Sequence, residues 1–369
     1  MSFGDSENAR TDETSEFACL LYGIDSLYVG YNLDRLESVL DFDELAFLKE
    51  KASRSRGMKK AEITIGTETF IVQPRGNYPY TWALTNSAFT ISLSENMSPN
   101  TYVQFRSEAL WTDGVESLEE RLRSWFKSAG MSLYQSEKVS RVDWSFDFKV
   151  SEPDFHKEHF ASRCQKFSMH GGSNRIQTIQ LGKGDTVIRL YDKVAEIEEV
   201  SKKAWFYRLW NRDRDVWRLE FQIRGQRLKE SGIRSLADLA DYQWDLLREL
   251  ATNHTRLLQP TGDTNKSRWP LHPIWVELQR LIESAPQTGL AQDVWSSDAI
   301  HIRIEQLAAS VAGQMKALAA MKHVLWPGED VPTIEETCDW LEDWQHYQNA
   351  DSTWNTDVRT KVQALEFER

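Results

Sequence analysis

A tyrosine with a cation two residues to either side stands near the end of Thr178-Ile-Gln-Leu-Gly-Lys-Gly-Asp-Thr-Val-Ile-Arg-Leu-Tyr-Asp-Lys193, with Arg189 before Tyr191 and Lys193 after it. The stretch reads as a β-hairpin that delivers Tyr191 at the end of its second strand. Strand side chains alternate faces, so Arg189 and Tyr191 share one face while Ile188 and Leu190 take the other. The apolar face can anchor in a core while a phenol flanked by cations looks outward. That suits a tyrosine meant to meet a phosphate, and the chemistry it suggests is transesterification through a phosphotyrosine. A phenol with a solution pKa of about 10 is a weak nucleophile at neutral pH, so Lys193, Arg189 or a general base would have to help remove its proton.

Two further strands carry the same alternation. In Arg141-Val-Asp-Trp-Ser-Phe-Asp-Phe148, Trp144, Phe146 and Phe148 take one face and Asp143, Ser145 and Asp147 the other. Carboxylates about 7 Å apart on one strand face need a counter-charge, either a divalent cation or arginines. In Val216-Trp-Arg-Leu-Glu-Phe-Gln-Ile-Arg224, Arg218, Glu220, Gln222 and Arg224 oppose Trp217, Leu219, Phe221 and Ile223. If the three strands share a sheet, one face holds carboxylates for a hard cation, a tyrosine nucleophile and guanidiniums for phosphate. Amphipathic strands of an antiparallel sheet with one wet face, laced by Arg–Asp and Arg–Glu pairs, account for the same pattern.

The elements that must position these residues follow from periodicity. A first strand is expected over 17–31, a helix over 34–53, strands between 61 and 109, and a helix over 115–128. A second α/β run has a strand at 139–150, a helix at 153–167, the hairpin, a helix at about 192–204 and a strand at 216–224. Helical periods then follow at about 235–258, 273–284, 298–324 and 333–348. The expected organisation is a disordered acidic N-terminus (1–17), an N-terminal α+β half (18–135), a catalytic α+β half (136–235) and a helical C-terminal region (236–369). The fold class is α+β: antiparallel sheets with flanking helices, with two halves of similar strand–helix rhythm.

The net charge is −12 over 369 residues, with mean hydropathy −0.55. The acids concentrate at the ends, roughly −4 in residues 1–17 and −8 in 327–369, leaving the body about neutral. Residues 201–235 are basic, about +6, with Trp205, Phe206, Tyr207, Trp210 and Trp217 interleaved, which suits phosphate attraction with base stacking, or else a solvated basic helix face. No run of about 18 apolar residues is present, so no membrane partner is expected. The N-terminus lacks a secretory pattern, and the 3 cysteines are scattered, pointing to a reducing, cytoplasmic setting without a disulfide framework or a zinc site.

With these elements in place, the chain resembles the replication initiation factor (Rep_trans) family of rolling-circle initiators carried by plasmids, phages and integrative elements. The match runs through Arg141-Val-Asp143 and Asp147, Thr178 to Lys193 with Glu196 following, and Trp217-Arg218-Leu219-Glu220. It covers about 139–235, with weaker similarity from residue 18 onward and at 256–275. The resemblance implies a core related to HUH relaxases, with acidic side chains in place of the paired histidines; the chain has no His-x-His. It implies an enzyme that nicks and religates one DNA strand at an origin through a 5′-phosphotyrosine, with Mg²⁺ or Mn²⁺. By resemblance Tyr191 is the nucleophile, assisted by Lys193 and Arg189. Asp143, Asp147 and Glu220 are the metal ligands, and Glu196 is a ligand, a base or a salt-bridge partner. Arg218, Arg224, Lys202, Lys203 and Arg208 are the phosphate contacts. The implied partners are DNA, a host helicase and a second copy of the chain.

Other motifs carry less. His156 and His159, three apart on the expected helix, are a metal pair or a surface pair. Gly182-Lys-Gly184 is explained by hairpin turn chemistry, since no Walker-type run exists. A tyrosine recombinase would need a His-x-x-Arg box, and none of the 8 histidines has Arg three residues on. Two other classes remain: a non-catalytic origin- or operator-binding regulator on the same fold, and a partner-binding protein using the tail tryptophans Trp340, Trp344 and Trp354.

Overall fold

The structure, a computed structural model, describes residues 16–34, 36–54, 61–172, 175–285, 311–312, 314–316, 318–326, 330–347 and 358. Two compact units divide the chain, Met1–Gln287 and Thr288–Arg369.

The first unit is mixed α+β, built on an antiparallel sheet. Its strands are β1 (Cys19–Tyr31), β2 (Glu62–Ile65), β3 (Glu68–Val72), β4 (Trp82–Thr85), β5 (Phe89–Leu93), β6 (Thr101–Phe105), β7 (Lys138–Lys149), β8 (Phe160–Ser162), β9 (Phe167–Gly172), β10 (Arg175–Gly182), β11 (Thr186–Asp192), β12 (Val216–Arg224) and β13 (Thr255–Leu257). Its helices are α1 (Leu36–Val39), α2 (Phe42–Arg54), α3 (Ser107–Ser128), α4 (Lys193–Glu196), α5 (Phe206–Trp210), α6 (Gly225–Glu230), α7 (Leu236–Glu249) and α8 (Pro273–Ser284). Eleven strands join in the order β2-β3-β4-β5-β6-β1-β7-β12-β11-β10-β9, and β8 pairs separately with β13.

That order contains the two similar halves. In each, a long first strand is followed by a meander whose last strand returns beside the first: β6 beside β1, and β12 beside β7. The halves meet where β1 pairs antiparallel with β7. The expected division at 135/136 therefore falls inside one sheet. The unit boundary at 287/288 also places α7 and α8 with the sheet rather than with a region beginning at 236.

One face of the sheet is apolar. Leu27, Val29, Val142, Trp144, Phe146, Phe148, Leu219, Phe221 and Ile223 are buried on it, and helices cover it. Trp125 of α3 packs on Phe70 with ring centroids 5.0 Å apart, Trp144 donates to Gln243 of α7, and Trp275 of α8 faces Phe221. Phe-sized side chains enclosed this way contribute about 1.5–3 kcal/mol each. A capping box on Ser235 and Asp238 starts α7 at that surface.

Several expectations change. The helix expected over 153–167 is instead a 3₁₀ turn (Lys157–His159), β8 and the start of β9. Phe155 turns in against Trp217 and the chain needs β8 to pair with β13, so tertiary contacts override the helical spacing. β13 also places a strand where helix was expected. The helix expected at 192–204 is α4 with a π-turn, ended by Lys202 at φ 59°. The hairpin turn is as expected, with Gly182 and Gly184 both at φ 86°, where a side chain would strain the backbone. His156 precedes the 3₁₀ turn and His159 ends it; His159 is buried and His156 pairs with Asp154.

In the second unit, Ile334–Tyr347 is helical. Thr333 and Glu336 cap it reciprocally, the Glu336 amide donating to Thr333 Oγ1 and the Thr333 amide to Glu336 Oε2. The expected acidic segment 1–17 and helix 298–324 lie largely outside the described residues. No helix among the described residues is long and apolar enough to cross a membrane.

Candidate active site

Register brings the sequence candidates onto one face. Arg218 lies opposite Asp147, Glu220 opposite Ser145 and Gln222 opposite Asp143. Across the other edge of β12, Arg189 is opposite Glu220 and Tyr191 opposite Arg218. Within that face they form two groups, one sealed and one near the surface.

The sealed group centres on Arg218. Its Nε and Nη2 donate to the two oxygens of Asp147 at 2.6 and 2.8 Å, and Nη1 donates to Asp25 Oδ1 at 3.0 Å. Trp210 Nε1 adds a bond to Asp147 Oδ2 at 2.8 Å, while Trp111 Nε1 and Ser107 Oγ each reach Asp25 Oδ1 at 2.9 Å. The Phe206 ring lies 4.5 Å from the guanidinium and stacks on Trp205 and Trp210, closing the group from solvent. Trp111 reaches Asp25 because Gly23 leaves room: a Cβ there would meet the indole Cζ3 at 3.0 Å. Burial alone would raise the Asp25 carboxyl, but Arg218, Lys203 and Lys193 outweigh it and hold the group below the carboxylate range.

This corrects two expectations. Asp147, expected as a metal ligand, is 0% exposed inside the sealed group, where the bidentate Arg218 fork and Trp210 enclose it, so it does not face the surface group as Asp143 and Glu220 do. Arg218 is not free to hold phosphate, because it is 0% exposed and committed to two carboxylates. A charge removed from water persists only where fixed opposite charges meet it, and these residues serve that need for one another.

The second group centres on Glu220. Its Oε1 accepts from Arg189 Nη1 at 2.6 Å and its Oε2 from Tyr191 Oη at 3.2 Å. Arg189 also donates to Gln222 Oε1 at 3.1 Å and Gln180 Oε1 at 3.0 Å. Beside them Asp143 is gripped by the Arg141 fork. Tyr191 and Glu220 are each 8% exposed. Burial, reinforced by Glu220, pushes the Tyr191 phenol well above its ordinary value. Burial also raises the Asp143 carboxyl to about 6; Arg141 opposes the shift and Glu220 adds to it.

Lys193 lies over the Tyr191 ring, its Nζ 5.6 Å from the centroid, and pairs with Glu196 at 2.6 Å. Glu196 is thus the salt-bridge partner of Lys193. Burial, then Arg218, lowers the lysine below its ordinary value. Among the expected phosphate contacts, Lys202 and Arg208 are exposed, Lys203 sits 3.7 Å from Asp25 and Arg224 is half-buried.

For a divalent cation the donors on this face are Asp143 and Glu220, diagonal neighbours across β7 and β12. Between them lies Ser145, whose Oγ is buried with no hydrogen-bond partner. Two carboxylates and an unsatisfied hydroxyl fit part of an oxygen-ligand shell, which water or phosphate can complete. Among the described residues, no three His, Cys, Asp or Glu side chains already cluster around one point. Sequence reasoning missed Asp25 and Trp111, and it read Phe206, Trp210 and Trp217 as suited to base stacking, whereas all three are buried and Trp210 bonds Asp147. The one available signal was an aspartate in the otherwise apolar run of β1.

No family model matches the chain, and no curated protein matches it. Among solved structures, a rolling circle replication initiator protein from Geobacillus stearothermophilus is similar at 17% identity and TM-score 0.45, over 72% of this chain and 98% of that one. A likeness of that size assigns neither a site nor an activity to this chain.

Proposed function

We propose that this chain is a rolling-circle replication initiator that nicks and rejoins one DNA strand by tyrosine transesterification. The observation that carries the reading is the contact of Tyr191 Oη with Glu220 Oε2 at 3.2 Å, beside Arg189 and Asp143 on one sheet face. The sequence resemblance runs through the same residues.

In the proposed step Tyr191 Oη attacks phosphorus and the bond to O3′ breaks. The phenolic proton passes to Glu220, and the departing O3′ takes a proton from solvent. The products are a 5′-phosphotyrosine and a 3′-hydroxyl, and reversal by a 3′-hydroxyl reseals the strand without ATP. The Lys193 ammonium over the ring favours the phenolate, and the free donors of Arg189 meet the non-bridging oxygens. Asp143, Ser145 and the Glu220 oxygen now bonded to Arg189 would hold Mg²⁺ or Mn²⁺, which when bound supplies Lewis-acid polarisation of the phosphate. Lys202, Arg208 and Arg224 provide further phosphate contacts. A host helicase, a second copy of the chain and a cytoplasmic setting complete the proposed role.

The test is incubation with Mn²⁺ and supercoiled DNA carrying the origin of the encoding element. Wild type gives a nicked circle bearing a covalent protein adduct, and Tyr191→Phe gives neither. Absence of the adduct with wild type, or its survival in Tyr191→Phe, refutes the reading. A non-catalytic DNA regulator is the second reading, favoured by the 8% exposure of Tyr191; it predicts salt-dependent binding without an adduct.

A further inference from the structure

Beyond Asp143 the same polar face continues into the N-terminal half, where it carries a row of aromatic rings. Tyr28 lies directly opposite Arg141, whose guanidinium sits 4.9 Å from the ring centroid. Tyr102 follows at 6.0 Å from Tyr28, and Tyr80 stacks on Tyr102 at 5.7 Å with 19° between planes. All three rings are half-buried. Two are fixed by their hydroxyls, Tyr102 to Ser140 Oγ at 2.6 Å and Tyr80 to the Pro99 carbonyl at 3.0 Å. Such rings lose little freedom when something stacks on them.

The cations beside the row are unbalanced. Arg224 lies directly opposite Arg141, and like charges so placed destabilise a strand pair. Asp143 neutralises Arg141, whereas Arg224 has a buried Nε without a hydrogen-bond partner and no carboxylate within ion-pair distance among the described residues. A guanidinium held this way leaves donors and charge available to an anion.

We propose that Tyr28, Tyr102 and Tyr80, with Arg141 and Arg224, form a track for single-stranded DNA that leads to the Tyr191 site. Bases stack on the tyrosines, and a backbone phosphate sits on Arg224. The inference rests on the nicking reading above and names where the strand lies. Continuity supports it, because β7 carries both Arg141 and Asp143, and β12 carries both Arg224 and Glu220, about 13 Å apart along the strand. Single-stranded DNA is the occupant because its unpaired bases offer π-faces to a fixed ring row while its backbone brings the negative charge that the guanidiniums match.

The experiment measures fluorescence anisotropy of a labelled oligothymidylate and of a duplex of equal length, over a salt series. Tyr28→Leu and Tyr102→Leu each weaken single-strand binding about tenfold with the salt slope kept. Arg224→Gln weakens it and lowers the slope by about 0.7. Duplex binding is unchanged by the tyrosine variants. Equal single-strand affinity in wild type and the tyrosine variants overturns the proposal. Should a variant fail to fold, photocrosslinking of wild type to a 5-iododeoxyuridine oligonucleotide decides: adducts map to peptides bearing Tyr28, Tyr80 or Tyr102, and adducts confined elsewhere overturn it. Tyr191→Phe separates the two readings. It retains single-strand affinity if the track is correct, even where no covalent adduct forms with wild type.

Discussion

Arg218 and Asp147 lie directly opposite each other on adjacent strands and are joined by two N–H···O bonds, with both side chains 0% exposed. Removing Arg218 leaves two buried carboxylates, Asp147 and Asp25, without their main counter-charge, whereas removing Asp147 leaves Arg218 still paired with Asp25. Arg218→Met is expected to destabilise the fold by about 3–5 kcal/mol, and Asp147→Leu by less. The double variant is expected to cost less than the sum, because the Arg218–Asp147 pair is removed together and only Asp25 loses a partner. Urea unfolding of the four proteins measures this; additivity would show that the pair is not coupled.

Glu220 is one of the groups that hold the Tyr191 proton in place. Glu220→Gln removes a negative charge beside the phenol, so Tyr191 should titrate at lower pH in the variant while burial keeps it above its ordinary value. Tyrosine carbon-13 ring resonances, with Tyr191 assigned through Tyr191→Phe, report it. An unchanged titration would mean that Glu220 does not act on the phenol.

Asp143 makes stability depend on pH. Its carboxyl holds a proton up to about pH 6 in the folded chain, and only below about 4 when unfolded. Between those values the native state carries the extra proton, so this contribution falls as pH rises. Asp143→Asn lacks the term, and its stability relative to wild type should grow by roughly 2–3 kcal/mol from pH 4 to 7. Denaturation at several pH values tests this; a flat difference would contradict it.

Lys193 separates architecture from chemistry. Its partner Glu196 retains contact with water, so Lys193→Met should change stability by no more than about 1 kcal/mol. Nicking should fall at least about tenfold, since the ammonium over the ring is lost. Melting temperature and adduct yield are read together; an unchanged adduct rate would mark the lysine as structural only.

Period-two alternation made the strands at 141–148, 186–192 and 216–224 legible in the sequence, with their faces, because one side of each is apolar. What alternation cannot carry is strand order. The polar residues of three strands might have lain in separate sheets, and only the β7-β12-β11 adjacency makes Asp143, Glu220 and Tyr191 neighbours. The division of labour among the carboxylates was equally hidden. Asp143 and Asp147 look alike along the strand, yet a long-range partner, Asp25, and the Trp210 lid commit Asp147 to Arg218. The helix expected at 153–167 failed for the same reason, since Phe155 and Phe160 serve contacts distant in sequence.

The placement of β1 at the middle of the sheet has a consequence for how the chain is made. Asp25 and Arg218 are 193 residues apart, so β1 leaves the ribosome well before β12 and waits for it to complete its surroundings. Such non-local pairing slows folding. A chain released before β12 would carry Tyr191 without the strand that bears Glu220 and Arg218. Translation that stops early therefore yields a tyrosine with no site around it.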